Sequence, residues 1–154
     1  MSSQELSSED YRQIELLLVE DTEGDVELIL RNLKKSNLAN NVFVVRDGAE
    51  ALDFINGTGA YQGQSSIEHP KVIFLDLKLP KVSGIEVLRQ LKENERTKSI
   101  PVVILTSSSE DRDLKEAYAL GANSYITKPM IFDDFSRLVH ELGLYWMVTN
   151  KAVR

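Results

Sequence analysis

The chain of 154 residues contains no cysteine, two histidines and four prolines. Without cysteine there is no disulfide, no thiolate metal site and no cysteine nucleophile. A reducing, cytoplasmic compartment is the expectation. His69 and His140 lie far apart in sequence, which argues against a histidine-built zinc centre. No apolar run approaches the ~20 residues that cross a bilayer. The polar stretch Met1–Gln13 does not read as a signal peptide. Positive charge is in deficit, with 18 Lys and Arg against 24 Asp and Glu and a net charge of −6. Nucleic acid as a general electrostatic partner is therefore disfavoured, because that binding needs a basic surface.

What is present is ordinary for a globular domain: 42% hydrophobic and 27% charged residues. The length suits one domain. Short apolar runs alternate with helical periodicity. Leu16–Val19, Val42–Val45, Val72–Leu75 and Val102–Leu105 are continuous apolar segments, as expected of strands buried on both faces. Ser124–Thr127 reads as a last short strand. Between them, Val26, Ile29, Leu30 and Leu33 mark one face of a helix that Thr22 would cap. Ala51, Leu52 and Ile55 mark a second helix, and Ile85, Leu88 and Leu91 a third. Glu110–Leu120 reads as a fourth, stopped by Gly121. Phe132, Phe135, Leu138, Val139 and Leu142 line a fifth, expected to end at Gly143. Breaks fall at Asn40-Asn41 and over Asn56–Pro70, where three Gly, two Ser and a Pro indicate a long loop. Five strands alternating with five helices predict an α/β fold, a doubly wound, five-stranded parallel sheet.

The polar residues follow a rule. Glu20 and Asp21 end the first apolar run, Asp76 the third, Thr106 the fourth and Lys128 the fifth. In an open parallel sheet these positions meet at the carboxyl edge, where ligands bind. Three neighbouring carboxylates stay ionised only around a cation. An all-oxygen set without His or Cys favours a hard ion such as Mg²⁺. Lys128 and Thr106 suit a phosphoryl group, and Asp76 could act as a nucleophile that forms an acyl phosphate. Taken singly, each residue has a plainer reading: a helix cap or solvated charge for Glu20 and Asp21, a turn residue for Asp76, a cap for Thr106, surface charge for Lys128.

The ordered set LLLVED (16–21), VIFLDLKLPKVSG (72–84), VVILTSSS (102–109) and GANSYITKP (121–129) resembles the receiver domain of bacterial response regulators. The spacings from Asp76 to Thr106 and to Lys128 match that family as well. The resemblance implies a flavodoxin-like (βα)₅ fold over residues 14–143, after a leader (1–13) and before an aromatic tail (144–154). It implies that Asp76 accepts a phosphoryl group, and that Mg²⁺ (or Mn²⁺) is held by Asp21, Asp76, the Lys78 backbone carbonyl and, through water, Glu20. It implies that Lys128 pairs with the phosphoryl group and that Thr106 and Tyr125 act as switch residues. It also implies a cis peptide at Lys128-Pro129. Tyr125 has a plainer reading too, as a half-buried strand aromatic. Lys78 and Ser108 stand at positions that modulate self-dephosphorylation in this family.

The long loop and the tail are similar to those of stand-alone regulators paired with cyanobacterial phytochromes. That likeness implies a sensor histidine kinase as donor, a phytochrome among the candidates, and a homodimer. No DNA-binding module or membrane partner is expected. Tyr145, Trp146, Met147 and Val148 are candidate interface residues, with packing on their own domain as the alternative. The expected role is a phosphoacceptor and not an enzyme. A haloacid-dehalogenase-type phosphatase needs a second Asp two residues past the nucleophile, and Lys78 stands there. A receiver-like scaffold that is never phosphorylated is the remaining alternative.

Overall fold

The computed structural model describes residues 14–38, 41–62 and 70–151. The expected leader (1–13), Asn40, the loop interior including His69 (63–69) and the end of the tail (152–154) lie outside the described residues. Five parallel strands form one sheet: β1 Leu16–Val19, β2 Val42–Val45, β3 Val72–Leu75, β4 Val102–Thr106 and β5 Ser124–Thr127. Their order is β2-β1-β3-β4-β5. The helices are α1 Glu23–Lys35, α2 Gly48–Asn56, α3 Gly84–Glu93, α4 Asp111–Leu120 and α5 Phe132–Leu144. The predicted fold class is the observed one.

Successive strand residues point to opposite faces, so every apolar run supplies two cores. Leu17 and Val19 join Phe43, Ile73 and Ile104 beneath α2 and α3. Leu16 and Leu18 join Val44, Phe74 and Val103 beneath α1 and α5. Burial on both faces is why the runs are continuous rather than alternating. Phe74 is fully enclosed, and burying such a side chain is worth about 1.5–3 kcal/mol.

Three local readings change. The expected loop after α2 contains a short 3₁₀ turn, Gly59–Tyr61. Its Tyr61 ring packs edge-on to Phe43 and Phe54, at 5.9 and 5.2 Å, and its hydroxyl donates to Glu50 Oε2 at 2.7 Å. That anchor is what orders the segment. Thr22 takes the cap position of α1 but makes no side-chain cap bond; its N–H donates to Glu20 Oε2 at 3.2 Å instead. Gly143 does not stop α5. A Cβ there would lie 2.6 Å from Leu33 Cδ2, so this glycine permits the close approach of α5 to α1. The helix runs on to Leu144 and then widens over Tyr145–Thr149, where Asn150 N–H reaches the Tyr145 carbonyl at 2.6 Å.

Gly84 matters most for the site. A Cβ there would lie 2.2 Å from the Asp76 carbonyl oxygen and 2.5 Å from Leu77 Cα, both backbone atoms that cannot swing away. We expect Gly84→Ala to destabilise the domain by about 2–3 kcal/mol in urea unfolding, at the upper end of overpacking costs. Gly143→Ala, which meets flexible leucine tips, should cost clearly less.

Candidate phosphoryl-acceptor site

The strand order reverses between β1 and β3, since β2 lies on one side of β1 and β3 on the other. The crevice at the carboxyl ends of those strands is the natural ligand position. Glu20 and Asp21 follow β1 and Asp76 follows β3. The first residue past each of three strands is still held by the ladder. Glu20 N–H donates to the Val45 carbonyl at 3.0 Å, Asp76 N–H to Val19 at 3.0 Å, and Lys128 N–H to Thr106 at 2.7 Å. The side chains therefore project from rigid backbone, not from free loops.

The expected residues converge. Carboxylate oxygens of Glu20, Asp21 and Asp76 lie within 4.8 Å of one another. Lys128 Nζ donates to Glu20 Oε1 at 2.6 Å and to Asp76 Oδ2 at 3.0 Å. Glu20 and Asp76 are buried, at 1% and 5% exposure, while Asp21 faces solvent. Lys78 is exposed, and its N–H donates to Asp76 Oδ1 at 3.2 Å. The set of oxygen donors fits a hard divalent cation: three close carboxylates, no nitrogen or sulfur ligand, and one face open to water.

Burial pushes the Glu20 carboxyl up to about 7, with the Asp76 charge adding to the rise and Lys128 opposing it. Burial alone would lower the Lys128 ammonium. Hydrogen bonds to Asp25 and Glu20 and the charges of Glu20 and Asp76 outweigh it, so its pKa lies above the ordinary lysine value.

Thr106 and Tyr125 meet the cluster less directly. Both converge on Ser108. Its N–H donates to Thr106 Oγ1 at 3.4 Å, and the Tyr125 hydroxyl donates to its carbonyl at 2.9 Å. Thr106 is fully buried, and Tyr125 is half-buried against the core beneath α2 and α3. Burial raises the Tyr125 phenol above its usual value. Ser108 is itself buried, and its hydroxyl donates to Asp113 of α4 at 2.5 Å.

Two expectations need correction or division. The Lys128–Pro129 peptide is trans; there is no cis bond among the described residues. The ammonium reaches its acceptors from a trans backbone, and the trans preference of an X–Pro bond, about 0.5–1 kcal/mol, stands. The tail divides. Trp146 and Met147 are buried in the core beneath α1 and α5, and Lys71 Nζ donates to the Met147 carbonyl at 3.3 Å. Tyr145 and Val148 are exposed at 49% and 65%. Beyond Pro129, Met130, Ile131 and Phe132 also stand exposed, so Phe132 does not belong to the buried face of α5.

Sequence reasoning missed Asp25, whose Oδ2 accepts from Lys128 Nζ at 2.8 Å. An acid in the first turn of a helix reads as a partner of the helix dipole. Its place one turn past Asp21, on the side that faces the strand ends, was the available signal.

The family model for the response regulator receiver domain matches residues 16–140. The chain belongs to the response-regulator receiver family. It is 41% identical over 137 residues to the probable methanogenesis regulatory protein FilR2 of Methanothrix harundinacea, covering 89% of this chain and 86% of that protein. It is 37% identical over 134 residues to the response regulator Rcp1 of Synechocystis, covering 87% and 89%. The Mn²⁺-bound crystal structure of Rcp1 superposes with a TM-score of 0.84, over 90% of this chain and 98% of that one. The phosphorylated cyanobacterial phytochrome response regulator RcpA superposes with a TM-score of 0.83 at 36% identity, over 90% and 97%. The likeness to phytochrome-associated regulators, expected from loop and tail, is borne out by RcpA.

The Glu20 environment makes a pH prediction. Below about pH 7 a proton occupies Glu20 and opposes a divalent cation nearby; above it the carboxylate is charged. We expect Mn²⁺ or Mg²⁺ to bind about tenfold more tightly at pH 8 than at pH 6, levelling off above pH 7. Calorimetric titration checks this, and Glu20→Gln should flatten the profile.

Proposed function

We propose that this chain is a phosphorylatable switch. Asp76 accepts a phosphoryl group from the phosphohistidine of a sensor kinase, with a divalent cation bound, and the change alters a surface read by another protein. The observation that carries this reading is the convergence of Glu20, Asp21, Asp76 and Lys128 at the switch point of the sheet. Asp76 and Lys128 lie in direct contact there, acceptor beside counter-charge.

In the transfer, an Asp76 carboxylate oxygen attacks phosphorus while the P–N bond of the donor breaks, and the departing imidazole takes up a proton. The chain's part is positioning and charge compensation, which dominate phosphoryl transfer. Glu20, Asp21, Asp76 and the Lys78 backbone carbonyl are the groups that would hold Mg²⁺ or Mn²⁺. When bound, the ion neutralises charge on the phosphoryl oxygens. Lys128 supplies a further positive charge and a hydrogen-bond donor. Thr106 trades its bond from Ser108 N–H for the phosphoryl group, and Tyr125, tied to the Ser108 carbonyl, responds to that exchange. The acyl phosphate adds about −2 charge and strong acceptors, enough to bias such a two-state element.

The donor we favour is a phytochrome-type histidine kinase, supported by the likeness to RcpA. For assembly we propose a homodimer. Its contact draws on Tyr145 and Val148, while Trp146 and Met147 anchor the tail to its own domain. No helix among the described residues is long and apolar enough to cross a membrane.

Intact mass after incubation with acetyl phosphate tests the chemistry. We expect a phosphoryl adduct that requires Mg²⁺ and is absent from Asp76→Asn. No adduct from acetyl phosphate or from phosphorylated kinases would leave the phosphoacceptor reading without support. For the dimer, sedimentation velocity should show wild type as a dimer and Val148→Lys shifted to monomer at the same concentration.

A further inference from the structure

Lys128 has three acceptors, and they are not equivalent. Glu20 and Asp76 belong to the carboxylate cluster that fits a divalent cation. Asp25 does not. It stands on α1, with its side chain 27% exposed, and takes the ammonium at 2.8 Å, closer than the acceptor Asp76 does at 3.0 Å. A divalent cation among Glu20, Asp21 and Asp76 competes with Lys128 for two of its three partners and repels it as a like charge. The Lys128 side chain is only 8% exposed, so it cannot simply retreat into water.

We propose that Asp25 is a positioning residue: it receives Lys128 when the cation binds and keeps the ammonium at the rim of the site, ready for an incoming phosphoryl oxygen. This deepens the phosphoacceptor reading and rests on it. Without Asp25, the lysine has only the metal-binding carboxylates to pair with. It then competes with the cation at Glu20 and Asp76. Asp25 thus acts on metal affinity through Lys128, not by touching the metal.

A double-mutant cycle on metal binding isolates that route. Mn²⁺ affinity is titrated for wild type, Asp25→Asn, Lys128→Met and the double variant, with thermal melts of each protein without metal. We expect Asp25→Asn to weaken Mn²⁺ binding roughly tenfold in the wild-type background and less than about twofold when Lys128 is already Met, a coupling of the size contacting pairs show. Asp25→Glu, which keeps the charge, should recover most of the affinity. An equal loss in both backgrounds would mean that Asp25 contributes only through-space charge and would overturn the proposal. So would unchanged binding in Asp25→Asn. Acetyl phosphate labelling of wild type runs in parallel. If wild type takes up no phosphoryl group, the phosphoacceptor reading fails. If wild type is labelled and the cycle shows no coupling, only the role of Asp25 fails.

Discussion

The structure depends on one ammonium, that of Lys128, held among Glu20, Asp25 and Asp76 at 2.6, 2.8 and 3.0 Å. Asp21 stands beside them. Four carboxylates with one lysine leave the site short of positive charge. Each ion carries a desolvation penalty, and the pairs offset it only with good hydrogen-bond geometry. Burial, with the Asp76 charge adding to it, pushes Glu20 up to about 7 even with a lysine in contact. A site in this condition favours a divalent cation, and under the proposed function that cation would offset the charge of an incoming phosphoryl group. Lys128, together with the Thr22 N–H on Glu20 and the Lys78 N–H on Asp76, holds the carboxylates in place.

The fold makes so polar an edge tolerable. Both sheet faces are sealed by separate apolar layers, so the charged groups sit past the strand ends and not within the core. The ladder continues one residue beyond β1, β3 and β5, and this fixes the backbone of Glu20, Asp76 and Lys128 while their side chains reach the crevice. Gly84 lets the start of α3 lie directly against the Asp76 backbone, and Ser83 caps that helix through Glu86 N–H at 3.3 Å. Precision at the acceptor thus comes from backbone packing, which a surface loop could not supply.

Much of this was legible in the sequence because parallel strands buried on both faces leave an unmistakable trace. The four apolar runs and Ser124–Thr127 are the observed strands, with β4 extended by Thr106, and the polar residues at the ends of β1, β3, β4 and β5 mark the site edge. The parts that were not legible involve partners distant along the chain. Asp25 looks like a dipole partner until β5 brings Lys128 to it. Tyr61 lies in a glycine-rich stretch, and its place is explained by the stacked Phe43 and Phe54 rings and the Glu50 carboxylate. Gly143 carries the same local signal whether it ends a helix or lets two helices touch; Leu33 decides, and Leu33 is remote in sequence. The trans Lys128–Pro129 bond departs from an expectation drawn from family likeness, not from any local pattern.

The lysine also links the site to the far end of the molecule through packed elements. Asp25 belongs to α1, and Lys128 precedes α5. The two helices pack on one sheet face and are stitched by Asn32 Nδ2 to Ser136 Oγ at 3.3 Å and by Ser36 Oγ with His140 Nδ1 at 2.9 Å. The widened turn after α5 carries Trp146 and Met147 into the same core and leaves Tyr145 and Val148 outside. Contiguity of this kind is not coupling; coupling needs an element with two discrete arrangements that both ends bias. Under the proposed function, two places are candidates for such an element. Lys128 is shared among three carboxylates, and Thr106 and Tyr125 share Ser108. The first lies beside the α1–α5 pair, and the second joins β5 to α4 through Ser108 and Asp113. Under the proposed function, a phosphoryl group at Asp76 would draw on Lys128 and Thr106 together, and a single chemical event would reach both places.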